Sequence, residues 1–195
     1  MPVNRTKKRK VVVAITGSPT VGKSHFAKKL ARISKNVHII EINDVVKKGR
    51  FFSSIDKDGV MTVKLAPLKK ELKRKIIGLS GIVLVVGHLA PELNVKYDLA
   101  IVIRGHLRLL SRRMKARKYN FGKIRDNLVS EALDYCGIRM ARLCKDTYEI
   151  ETKEEIKTAM NFIMNFAKGK SKSMERKEIN SMGELLEIIN LGWKF

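Results

Sequence analysis

The 195 residues include no glutamine, two cysteines, four prolines and one tryptophan, and only 19 acidic side chains stand against 41 lysines and arginines. Cys136 and Cys144 lie eight residues apart in a stretch of helical periodicity. Along one helix that is about 12 Å, too far for a disulfide. No Cys-x-x-Cys spacing suggests zinc, so the pair reads as two small half-buried hydrophobes. Long apolar runs are also missing: GIVLVV and LAIVI are too short to cross a bilayer. KKRK before VVVAI imitates a secretion signal, but the apolar stretch runs at once into glycine, proline and lysine with no cleavage site. A cytoplasmic protein with no membrane partner is expected. Glutamine-free, lysine-rich composition leans toward heat adaptation. No internal repeat is visible.

The acid deficit leaves a formal charge of +22, which attracts polyanions whatever else the molecule does. The excess gathers in RTKKRK (5–10), KKELKRK (69–75), RGHLRLLSRRMKARKYNFGKIR (104–125) and KGKSKSMERK (168–177). A heat-adapted surface would balance lysine with glutamate, and this one does not. Contact with structural RNA is therefore expected.

Short apolar runs alternate with longer helical patterns, the signature of an α/β fold with a parallel sheet covered by helices. The patterns predict strands near 11–16, 37–42, 82–86, 98–103 and 146–150. They predict helices near 23–35, 66–79, 105–118, 122–145 and 153–168. GRFFSSIDKDGV reads as a loop with a possible hairpin. The organisation expected is a basic arm (1–10), a nucleotide-binding domain (11–167), and a basic linker with a short helix (168–195). In that helix Leu185, Leu186, Ile188 and Ile189 would share one side.

The octet GSPTVGKS, residues 17–24, matches G-x-x-x-x-G-K-[ST] in full through Gly17, Gly22, Lys23 and Ser24. A chance match in a chain this long is about a one-in-a-hundred event. A buried-strand pattern precedes it, and an apolar helical pattern (Phe26, Ala27, Leu30, Ala31) follows, as the phosphate-binding turn requires. Glycines let successive N–H groups converge on one anion, and the helix dipole adds to their field. Lys23 sets a mobile cation on the outer phosphates, and Ser24 offers a hydroxyl to Mg²⁺. A nucleoside triphosphate is the expected ligand.

Such a turn serves many enzymes. The second acidic strand end and the base-specific motifs of GTPases and motors are not found. Arg113 and Arg117 are four apart and share a helix face, with Arg125 able to approach from the returning helix. Arginines converging over a phosphate turn suit phosphoryl transfer. A solvated basic or RNA-contacting face explains the same pattern.

These residues resemble the adenylate kinase isoenzyme six family, the nuclear adenylate kinase-like ATPases with their yeast and archaeal counterparts, in its archaeal type. The resemblance runs from about residue 11 to 165, through TGSPTVGKS, INDVVKKG, GIVLVVGHLAPEL, VIRGHLRLLSRRMKARKYNFGKIRDNLVSEALD and YEIETKEEI. Arg104, Arg113, Arg117, Tyr119, Asn127 and Glu131 fall at its most specific positions. It implies a three-layer P-loop sandwich with a five-stranded parallel sheet, of nucleoside-monophosphate kinase type with a short lid. It also implies ATP and Mg²⁺ as cofactors, AMP or another nucleoside monophosphate as substrate, and ATPase activity. Its family acts in late small-subunit ribosome maturation, with a platform ribosomal protein and pre-ribosomal RNA as partners; a monomer is expected.

By the same resemblance Thr20, Gly22, Lys23, Ser24 and His25 would surround the ATP phosphates. Asp44 and Lys47 would serve the monophosphate under a segment at about 40–64, although Asp44 also reads as a helix cap. The lid would span about 116–126 with Arg117 facing the phosphates, and Thr152 or Lys153 would lie near the adenine through backbone atoms. One departure stands out. The family's acid two residues before a strand-end histidine is replaced by Val86, while His88 is kept; either Asp98 or another carboxylate would substitute, or turnover would be weak. His88 would position a water or sense phosphate, unless it is merely a hydrogen-bonded strand-end residue.

Overall fold

The structure is a computed structural model that describes residues 10–55, 61–170, 173–174 and 179–194. The basic arm before Lys10, residues 56–60, and much of the basic linker lie outside the described residues. Five strands form a parallel sheet: β1 (Val11–Thr16), β2 (Val37–Glu41), β5 (Ile82–Val86), β6 (Leu99–Ile103) and β7 (Thr147–Ile150), in the order β2-β5-β1-β6-β7. The three central strands are buried along their whole length. That is why they read as unbroken apolar runs: a parallel sheet covered on both faces has no polar side. All five expected strands are present to within a residue.

The sheet's two faces carry different helices. Val11, Val13 and Ile15 pack beneath α1 (Lys23–Ile33), α4 (Leu107–Ala116), α5 (Phe121–Ala132), α7 (Lys153–Ala167) and α8 (Met182–Asn190). Val12 and Ala14 pack on α2 (Ile42–Lys48), α3 (Leu65–Ile77) and α6 (Tyr135–Leu143). Alternation along one strand thus supplies two cores. Beyond the sheet edge, β3 (Phe52–Ile55) and β4 (Met61–Val63) pair as an antiparallel hairpin. Lys10 closes the carboxyl end of α3 by donating to the carbonyls of Ile76 and Ile77 at 2.9 and 3.0 Å. A cation is favoured there by the helix dipole.

Two expectations need correction. The helix predicted over 122–145 is two, because α5 covers one face of the sheet and α6 the other, and a straight rod cannot do both. The change of face occurs at Asp134, which takes a left-handed conformation (φ 50°) and caps α6 by accepting from Gly137 N at 3.1 Å. In α8 only Leu185 and Ile188 are buried, while Leu186 and Ile189 face solvent. Glu184 of α8 binds α4 end-on: its carboxylate accepts from Leu107 N at 2.8 Å and Arg108 N at 2.9 Å. These are two of the N–H groups a helix start leaves without partners.

Candidate active site

β1 delivers the chain into the octet at the carboxyl end of the sheet, where the strand order reverses direction around β1. Ligands of open parallel sheets bind at such a crevice. Gly17 adopts φ 129°, and a Cβ there would lie 2.1 Å from the Ile103 carbonyl oxygen, so the loop seats against β6 only with glycine. Gly22 adopts φ 114°, and a Cβ there would meet nothing within 4 Å: it would project into open space. α1 begins at the next residue with no side chain capping it and no acid in its first turn. Its free N–H groups and positive dipole end are left for an anion. Lys23 lies back over the loop, donating to the carbonyls of Gly17 at 2.8 Å and Ser18 at 2.7 Å. Burial lowers its pKa to about 8, and Arg117 adds to the lowering, while Cys136, Glu131 and Glu41 work the other way. A polyphosphate would restore the charge that burial penalises.

Two clefts flank this turn. One, of about 920 Å³, brings together Thr20, Gly22, His25, Arg113, Arg117 and Thr152. Arg113 reaches from α4 to the Thr20 carbonyl at 3.2 Å. The other, of about 880 Å³, is bordered by Pro19, Lys47, His88, Tyr119, Lys123 and Asn127. Pro19 and Thr20 are consecutive, and the turn joining α4 to α5 sends Arg117 into one cleft and Tyr119 into the other. Lys123 lies 4.3 Å from the centre of the Tyr119 ring, and Asn127 donates to the Lys123 carbonyl at 2.6 Å. The protein crowded round His88 lowers its imidazole pKa, with Lys23 and Lys123 as further causes. The residue keeps solvent contact, which moderates the lowering, and the consequence is a neutral ring at neutral pH.

Residues 13–134 match a family described as an AAA domain. A Pyrococcus furiosus protein named "Putative adenylate kinase" is 32% identical over 144 residues, 73% of this chain and 75% of that one. A Methanosarcina barkeri protein of the same name is 28% identical over 73% of this chain and 77% of its own. The chain belongs to this adenylate kinase-like AAA domain family. Among solved structures, shikimate kinase from Acinetobacter baumannii in complex with shikimate aligns with a TM-score of 0.58 at 14% identity, over 85% of this chain and 97% of that one. At that identity the likeness concerns the fold alone, a P-loop kinase sandwich.

Within this adenylate kinase-like family member, several predicted residues lie elsewhere than expected. Asp98 sits before β6, at the far end of the sheet, where its carboxylate accepts from Val12 N at 2.8 Å. It cannot replace an acid beside the phosphate turn. Arg125 is exposed and leans on Asp126 at 3.4 Å, so it does not converge with Arg113 and Arg117. Asp44 is in the first turn of α2 rather than at its cap, and borders an outer cleft with Glu41 and Lys48, away from Lys47. Thr152 heads α7 in a capping box with Glu155. Its N–H bonds Glu155 and its carbonyl accepts from Ile156 N, leaving Thr152 to border the cleft by shape. The signal was present in T-K-E-E. Within 116–126, α4 runs to Ala116 and α5 starts at Phe121, so the non-helical part is a four-residue turn.

Arg104 and Glu131 form a buried ion pair. Arg104 is 2% exposed, and its guanidinium meets Glu131 at 2.8 Å, Asp134 at 2.8 Å and Glu149 at 2.6 Å. Three carboxylates outnumber one cation there. Burial and the neighbouring Asp134 accordingly raise the Glu149 pKa against the pull of Arg104. Cys136 and Cys144 are both buried and free.

Among the described residues no three His, Cys, Asp or Glu side chains gather to hold a metal by themselves. The turn nonetheless fits a phosphate-borne cation. Ser24 is exposed in the first turn of α1, and Glu41 Oε1, at the end of β2, is buried without a hydrogen-bond partner. Sequence reading overlooked Glu41, because its place depends on pairing between strands.

Proposed function

We propose that this chain is an adenylate kinase-like NTP:NMP phosphotransferase with accompanying ATPase activity. The observation that carries the reading is the placing of two clefts on either side of the phosphate turn, one bordered by Thr20 and the other by Pro19. ATP in the first would bring its terminal phosphate to the edge of the second, where Lys47, Asn127 and the neutral His88 line the place of the monophosphate. The transfer needs positioning and charge neutralisation more than covalent help. Lys23, Arg113 and Arg117 supply the cations, and His88 can accept a hydrogen bond. Mg²⁺, held by the phosphates and Ser24, would neutralise charge as it builds on the bridging oxygens. The relatives' name and the fold support the nucleotide kinase; AMP as acceptor and ATP hydrolysis belong to this proposal.

A second reading has its own support. Val86 stands where P-loop enzymes place an acid, and the charge of +22 suits RNA. On that reading ATP gates docking to a small-subunit platform protein and pre-ribosomal RNA, and monophosphate transfer is weak. ADP formation measured with and without AMP separates the two. Strong dependence on AMP supports the kinase; indifference to AMP, with stimulation by RNA, overturns it in favour of the assembly factor.

A further inference from the structure

We infer that Glu41 orients the magnesium ion, the task that an apolar residue at position 86 cannot perform; the inference rests on the nucleotide-binding reading above. Phosphate-borne Mg²⁺ in P-loop proteins relies on the hydroxyl after the lysine and on an acid at a neighbouring strand end. Beside β1 that strand is β5, and it ends in Val86, 1% exposed. One strand further out, Glu41 ends β2 in direct register with Val86. Paired strands are about 4.8 Å apart, and a glutamate has the reach to span part of that gap.

Direction agrees with distance. Ile39, Val86 and Ile15 all belong to the core beneath α1, the helix that carries Lys23 and Ser24. Side chains alternate along a strand, so Glu41, two residues beyond Ile39, projects toward the same helix. The charge of Glu41 is felt at Lys23, whose pKa it raises. Glu41 also borders the outer cleft at the sheet edge, but its Oε1 is buried and unpartnered. A carboxylate oxygen kept from water without a donor is costly. Water ligands of a divalent cation would supply the missing donors.

The test is calorimetric titration of ATP into the full chain, with and without Mg²⁺, for the native protein and Glu41→Gln. Magnesium should tighten ATP binding to the native protein, and the variant should lose about tenfold or more of that tightening. Its magnesium-free affinity should stay within about twofold of native. An undiminished magnesium effect in the variant overturns the inference. So does an equal change with and without the metal, which would make Glu41 only a counter-ion of Lys23. If Glu41→Gln does not fold, Glu41→Met, which also lacks the carboxylate, is read by the same two criteria. If the native protein binds no ATP, the functional reading falls and this inference with it. If magnesium-linked binding behaves as stated but AMP is not phosphorylated, only the kinase reading fails.

Discussion

Replacing Arg104 by methionine removes the cation from a buried group of three carboxylates, and the cost should depend steeply on pH. Glu131 is 2% exposed, and the side chains of Glu149 and Asp134 are 16% and 24% exposed. A carboxylate stranded by loss of its partner can escape by taking up a proton. From an ordinary value near 4.3 that escape costs about 5 kcal/mol at pH 8 and about 1 kcal/mol at pH 5. The first figure sits at the top of the ~3–5 kcal/mol found when one partner of a buried pair is removed. Unfolding a chain of this length carries an entropy of about 0.4 kcal/mol/K. The difference of about 4 kcal/mol therefore becomes roughly 10 °C. Scanning calorimetry of native and Arg104→Met proteins at both pH values reads it directly. The variant should melt more than 10 °C below native at pH 8 and recover most of that gap at pH 5. A gap of equal size at both pH values would refute the carboxylate argument and leave lost packing as the cause. Glu149→Gln is the control. The raised Glu149 pKa means that the native state holds this proton more tightly than the unfolded chain, so native stability falls as pH rises from about 4.5 to about 7. The glutamine variant should flatten that slope.

Lys23, with its pKa at about 8, should gain close to half a proton when ATP binds at pH 8. Calorimetry in buffers of different ionisation enthalpy measures the uptake, and affinity should weaken up to tenfold per unit above that pH; no uptake at pH 8 would contradict the assignment. Lys23→Ala should abolish ATP binding and turnover while the fold persists. Gly17→Ala drives a Cβ into the Ile103 carbonyl and should cost several kcal/mol of stability. Gly22→Ala points into open space and should cost only about 1–2 kcal/mol, yet weaken ATP binding at least tenfold. Similar melting temperatures for the two variants would undo that distinction. RNA binding, if it explains the charge, should weaken by orders of magnitude from low to high salt, and a flat response in filter binding would remove RNA from the reading.

What could be read from the chain alone was what the chain encodes locally. VVVAIT, GSPTVGKS and the helix after them are contiguous, so their chemistry is visible as spacing. The continuous run 122–145 misled because periodicity does not record which face of a sheet a helix covers; the left-handed residue at Asp134 is what redirects it. Asp98 and Glu41 carry the same lesson from opposite ends of the sheet. One is a strand-start residue and the other a strand-end residue, and which of them stands beside Lys23 depends on register and direction. Arg104 and Arg125 look alike as basic residues in a basic stretch, yet one is locked among three acids and the other lies in solvent.

The grip of Glu184 on Leu107 and Arg108 means that α8 seals the start of the very helix that presents Arg113. Cutting the chain after Lys170 would leave an open, electropositive mouth at that point, the kind that traps sulfate or phosphate from a buffer. An anion observed there in a shortened protein would be a product of the trimming rather than a second nucleotide subsite.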